Sequence, residues 1–198
     1  MGAKTTRDMV RGLQKIMDMD VEGFSPPEPE IPSREIHKRW IYAHSASETE
    51  NISIDYEKVG KWLLFFDQVQ RSDETGLTEQ DHAWQLIKEL VETGILYKAK
   101  CSTPLKGICK AYDESNNGVI CCYTSDYTNK QDVKRAAGAI RRAVHWPSDL
   151  FYKTDNDTRA GKYRHNRDDY ICIYKHTVEG ELYERDPIIQ YQWNPVNI

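Results

Sequence analysis

No C-x-x-C, H-x-x-x-H or H-E-x-x-H spacing occurs in the 198 residues, so neither thiolates nor imidazoles are set out to share a metal ion. There is no G-x-S-x-G nucleophile turn and no Gly-rich loop ahead of a helix, which removes the usual hydrolase elbow and the phosphate cradle of nucleotide kinases. Runs of about 20 apolar residues, the length that spans a bilayer, are also missing. The first thirty residues hold Lys4, Arg7, Asp8 and Arg11 without an apolar run of seven, so no secretory signal is expected there. A cytoplasmic or nucleocytoplasmic setting is the expectation, with no membrane partner and no cofactor.

An overall positive field is lacking too. The net charge is -4, so any face for nucleic acid must be local. One candidate exists: residues 130 to 167 carry ten Lys or Arg against four Asp, a balance of +6. Five Cys, at 101, 109, 121, 122 and 172, are odd in number. Adjacent Cys121 and Cys122 in a strand point to opposite faces and cannot easily pair, so buried reduced thiols are expected.

What is present is a soluble composition, 29% charged and 39% hydrophobic, rich in Tyr (12) and Trp (5). Residues 5 to 19 have helical apolar spacing, and "GFSPPEPEIPS" follows as an extended Pro-rich arm. We therefore divide the chain into an arm, 1–35, and a single domain, 36–198. "RWIYAHS" reads as a strand, and "VGKWLLFFD", apolar on both sides, as a central one. Capping-box spacing at Thr78/Asp81, Thr128/Gln131 and Thr154/Asp157 opens three helices, the first two closing at Gly94 and Pro147 and the third reaching Gly161. "ILYKAKCS", "NNGVICCYTS", "DLFYK" and "DYICIYK" are further strands, and the tail can hold one more hairpin arm. Strand-loop-strand pieces with few helices predict an α+β fold, a mainly antiparallel sheet with about three helices on one face.

Tyr123, Tyr127, Tyr152, Tyr170 and Tyr174, with Trp62, lie in or beside these strands. Aromatic rings near lysines on a sheet face suit base stacking with phosphate pairing, and a Tyr-rich second core is the competing reading. The second helix carries Lys134, Arg141 and Arg142 opposite its apolar stripe, as a solvated face or a phosphate contact. In "LFYKTDNDTRAGKYR" the acids Asp155 and Asp157 occupy the first turn of the third helix, so an anion there would rely on Lys153, Arg159, Lys162 and Arg164.

Four segments in order, "VGKWLLFFD", "YKAKCST", "VICCYTSDYTNKQDV" and "LFYKTDNDTRAGKY", resemble the basophilic leukaemia expressed protein family, a poorly characterised group similar in fold to the cap-binding translation initiation factor 4E. The resemblance covers roughly residues 38 to 175 and implies a curved antiparallel sheet with helices on its convex side. In the cap-binding relatives two Trp rings sandwich a methylated guanine. Trp40 and Trp62 stand near the first strands, while no Trp–Glu pair follows the first helix. Within the four segments the candidate ligand-binding residues are Lys61, Trp62, Lys100, Ser102, Thr103, Tyr123, Asp126, Lys153, Asp155, Thr158, Arg159 and Lys162. The function expected is a non-catalytic module for RNA or a nucleotide, using a concave sheet face and the basic region. The alternatives are an enzyme acting on a phosphorylated substrate through Lys153 and Asp155, and a module whose N-terminal arm docks a protein partner.

Overall fold

The sheet grows outward from a strand that is apolar on both sides. In the computed structural model, which describes residues 30–45, 54–105, 116–163 and 170–198, that strand is β2, Gly60–Asp67. The others are β1 Trp40–His44, β3 Lys98–Ser102, β4 Asn117–Thr124, β5 Leu150–Thr154, β6 Tyr174–His176, β7 Leu182–Arg185 and β8 Trp193–Pro195. Their order across the single sheet is β1-β3-β4-β2-β5-β6-β7-β8, and every pairing is antiparallel. The chain divides into Met1–Glu30 and Ile31–Ile198, and the fold belongs to the second unit. The helix expected at 5 to 19, most of the Pro-rich arm, Cys109 and Arg164 lie outside the described residues.

Alternation along the strands sorts side chains between two faces. Trp62, Leu64 and Phe66 of β2 join Ala99, Cys101, Ile120, Cys122, Leu150 and Tyr152 in the main core. Two helices cover this face: α1, Glu79–Glu92, with Ala83, Trp84, Ile87 and Val91, and α2, Lys130–Ala143, with Val133, Ala136, Ala137 and Ile140. Burying each large side chain of this set contributes about 1.5–3 kcal/mol.

The α1 start is a complete capping box. Thr78 Oγ1 accepts from Asp81 N at 3.1 Å and the Asp81 carboxylate accepts from Thr78 N at 2.9 Å. The same carboxylate takes the amide and hydroxyl of Ser33, fastening the Pro32–Arg34 turn to the helix. The α2 start differs from expectation by one residue. Asn129, not Thr128, accepts from the third amide, because the Thr128 hydroxyl is committed to Asp126 at 2.6 Å.

The third helix, α3, is short, Asp155–Arg159. It continues directly from β5 and is capped by Thr154, which accepts from Asp157 N. The long strand expected from "DYICIYK" contracts to Tyr174–His176, and the tail supplies both arms of a hairpin, β7 and β8. Cys121 and Cys122 face opposite sides of the sheet, as the strand period requires, and the four described cysteines are buried thiols outside any disulfide. Among the described residues no helix is long and apolar enough to cross a membrane.

Candidate functional site

The face of the sheet away from α1 and α2 is where cations and aromatic rings meet. On β3, Lys98 and Lys100 are two residues apart and share this face with Tyr42 and His44 of β1, their register partners being His44 and Tyr42 respectively. The Lys98 ammonium lies 5.8 Å from the centre of the Tyr42 ring. Lys100 lies 4.4 Å from the Trp40 ring and 5.7 Å from that of Tyr123. Lys61, opposite Tyr123 in the β2–β4 register, stands 5.3 Å from the same ring. Each distance is within reach of a cation–π attraction. Val119, Cys121 and Tyr123 of β4, with Val59 and the half-buried Trp40 and Leu63, make a small second core beneath this row.

Electrostatics here are tight. Lys61 and Lys153 are directly opposite across β2 and β5, and both are almost fully buried, 3% and 2% exposed. Like charges in that position repel. The first residue of α3 answers this, because Asp155 accepts from the Lys61 ammonium and also lies 3.8 Å from Arg159. Lys153 donates to the Lys162 carbonyl and lies 4.1 Å from the Tyr163 ring. Burial pushes the Lys100 ammonium below its ordinary value, and neighbouring Lys61 adds to the effect. Burial likewise drives the Tyr123 phenol far up, so it stays neutral.

Thus Lys61, Lys100, Tyr123, Lys153 and Asp155 are brought together, from four strands and a helix start. Arg159 and Lys162 sit at the margin. Arg159 is engaged by Glu57 at 3.0 Å and by the Tyr56 carbonyl, and Lys162 by Asp157 at 2.7 Å. Other expected residues serve the fold. Trp62, expected to line the site, is fully buried under the helices, with its indole N–H donating to the Val133 carbonyl at 3.2 Å. Tyr152 and Tyr174 are in the same core. Ser102 accepts from the Val119 amide and, through its carbonyl, from Gln80, while the buried Thr103 hydroxyl donates to the Lys38 carbonyl. The Thr158 hydroxyl donates to the Thr154 carbonyl within α3. Asp126 closes the β4–α2 turn by accepting from Thr128, which holds its carboxyl below the ordinary range. The basic stretch 130 to 167 is also divided: α2 belongs to the helix side, Lys153 to the opposite face.

Sequence reasoning missed Lys98 and Tyr42. The i, i+2 repeat of Lys98 and Lys100 was the available signal. It also missed a second cluster toward the β8 edge. There Lys175 lies 5.1 Å from the Tyr183 ring and 5.5 Å from that of Trp193, and Arg185 lies 4.1 Å from Trp193 and 5.2 Å from Tyr170.

Comparison with known proteins gives a family and a set of structural likenesses. A family model described as basophilic leukemia-expressed protein Bles03 matches residues 35–159. Among solved structures, a C. elegans eIF4E-3 in complex with the 4E-binding protein Mextli is similar at 16% identity with a TM-score of 0.40, over 55% of this chain and 60% of that one. A schistosome eIF4E complexed with m7GpppG and 4E-BP is similar at 12% identity with a TM-score of 0.46, over 80% of this chain and 75% of that one. The chain thus spans about 60% of the length of the nematode protein it matches.

Proposed function

The chain belongs to the basophilic leukemia-expressed protein Bles03 family, and we propose that it is a non-catalytic module that holds a nucleotide, free or within an RNA strand, on the open face of its sheet. One observation carries this reading. Lys98 and Lys100 present ammonium groups among Trp40, Tyr42 and Tyr123, and among the described residues neither has a carboxylate within ion-pair distance.

A half-buried lysine without a counter-ion is costly, and the depressed proton affinity of Lys100 is the mark of that cost. A phosphate would supply the missing charge. Rings beside the cations supply flat surface: Tyr42 is 48% exposed, and base–aromatic stacking contributes about 1–3 kcal/mol per base. Asp155 is drawn into pairs with Lys61 and Arg159, so its role here is to hold the buried lysine in place.

Fluorescence anisotropy with a labelled oligoribonucleotide, ATP and m7GpppG as competitors tests the reading across a salt series. Affinity should fall steeply with salt, and Lys100→Gln should flatten the log–log slope by roughly 0.7 for a single strand. Competition by ATP alone would mark a mononucleotide site. No binding at low salt, or an unchanged slope in the variant, would refute the assignment.

A further inference from the structure

The helix side of the molecule carries a second concentration of positive charge, built differently from the first. The outward residues of α2 line a groove of about 570 Å³ whose other wall is the turn between β6 and β7, residues 178 to 180. Lys134, Gly138, Arg141 and Arg142 follow the i, i+4, i+7, i+8 spacing of one helical stripe. Gly138 leaves a notch in it. A side chain added there would first meet the end of Arg142, at 3.4 Å, and would enter the groove.

The floor is held by Arg141. Its guanidinium donates to His176 Nδ1 at 3.0 Å, to the His176 carbonyl at 2.6 Å, to the Trp146 carbonyl at 3.1 Å and to the Ser148 carbonyl at 2.9 Å. Three of these acceptors are backbone carbonyls, and the fourth is a neutral imidazole, since burial and the nearby Arg141 and Lys134 charges, against the opposing Asp149, hold the His176 value down to about 4. Arg141 is therefore fixed in position by hydrogen bonds to neutral groups; Asp149 and Glu179 are near enough to act on its charge, and among the described residues neither is at ion-pair distance from it. Lys134 and Arg142 flank it without a hydrogen-bond or ion-pair partner among the described residues. Arg135, also lining the groove, is paired with Asp132. The single side-chain carboxylate in the lining, Glu179, is engaged by its own backbone amide and the Thr177 hydroxyl. Among the lining side chains four cations stand against one carboxylate, and with Arg135 matched by Asp132 the positive charge of the groove rests on Lys134, Arg141 and Arg142.

We propose that this groove is a binding site for a chain of linked phosphates, separate from the sheet face. The eight residue steps from Lys134 to Arg142 rise about 12 Å along the helix axis, longer than one phosphate and matched by several in a row. Arg141 supplies the fixed central charge, and Lys134 and Arg142 close from either end with charge-assisted hydrogen bonds. Such a chain could be an inorganic polyphosphate or the triphosphate of a nucleotide.

Calorimetry with sodium tripolyphosphate on the full chain tests this, with ATP as a second titrant. Equal affinity for the two marks a site blind to the nucleoside, and tighter ATP binding marks a nucleotide site; both uphold the proposal. The double variant Lys134→Gln/Arg142→Gln, whose side chains hold nothing in the fold, should weaken tripolyphosphate binding roughly tenfold or more. Gly138→Leu keeps every charge and improves helix propensity, yet it fills the notch and should weaken binding as well. Lys100→Gln removes any phosphate binding at the sheet face, so the binding event that the groove variants diminish should persist in Lys100→Gln, which separates the two sites. Absence of binding by the wild type at low salt, or undiminished binding in either groove variant, would overturn the proposal.

Discussion

Acidification should weaken this fold through one side chain, His176. The imidazole is 2% exposed, edge-on to the Trp62 indole with centroids 6.2 Å apart, and its Nδ1 accepts from Arg141. Burial, then Arg141, then Lys134 lower its affinity for a proton, with Asp149 opposing, and the folded value falls from 6.5 to about 4. A depressed value means that the unfolded chain takes the proton first. Stability from this residue is complete above pH 6.5 and is lost as the pH falls toward 4. Between pH 7 and pH 4.5 nearly two units of the shift are traversed, and at about 1.4 kcal/mol per unit the loss is roughly 2 kcal/mol after allowing for screening. Urea denaturation at the two pH values should show this loss in the wild type beyond that of His176→Gln, whose amide oxygen can still accept from Arg141 but cannot titrate. Equal losses in the two proteins would refute the assignment of a buried neutral imidazole.

Other substitutions probe the packing and the charges separately. Gly60→Ala places a Cβ against the phenol of Tyr152, which is fixed by its hydrogen bond to Thr124; overpacking there should cost about 2–3 kcal/mol in the urea midpoint analysis. Gly118→Ala meets the carboxamide of the buried Gln80 and should likewise lower the thermal midpoint, with Gln80→Ala in the same chain restoring part of it. Asp155→Asn leaves Lys61, with a side chain 4% exposed, without its carboxylate; a loss of about 2–3 kcal/mol at pH 7 is expected, and Lys61→Met in that background should recover stability. Thr78→Ala removes one half of the α1 capping box and should cost about 1 kcal/mol by chemical denaturation.

Much of the architecture was legible because local patterns coincide with it. The double-sided apolar run "WLLFF" does belong to a central strand, and Thr78/Asp81 and Thr154/Asp157 do open helices. Thr128/Gln131 misled by one residue because Asp126 competes for the Thr128 hydroxyl, a contact that spacing alone does not rank. The site was harder. Alternation tells which residues share a face but not which face receives the helices, so Trp62, Tyr152 and Tyr174 were grouped with Tyr123 although they lie in the core. Lys61 and Lys153 are neighbours only through the β2–β5 register, which links segments about ninety residues apart in the chain.

That register also has a consequence for synthesis. β2 is bordered by β4 and β5, the second of which ends at Thr154, 87 residues after Asp67. At about 5–20 residues per second, roughly 4–17 s separate the appearance of β2 from that of its last neighbour. Through that interval a strand apolar on both sides lacks at least one partner, and "WLLFF" is the kind of segment that pairs with other chains. The nascent protein therefore presents an aggregation-prone strand well before it can be enclosed. Faster translation of residues 68 to 154, or a chaperone holding β2 meanwhile, should raise the soluble yield.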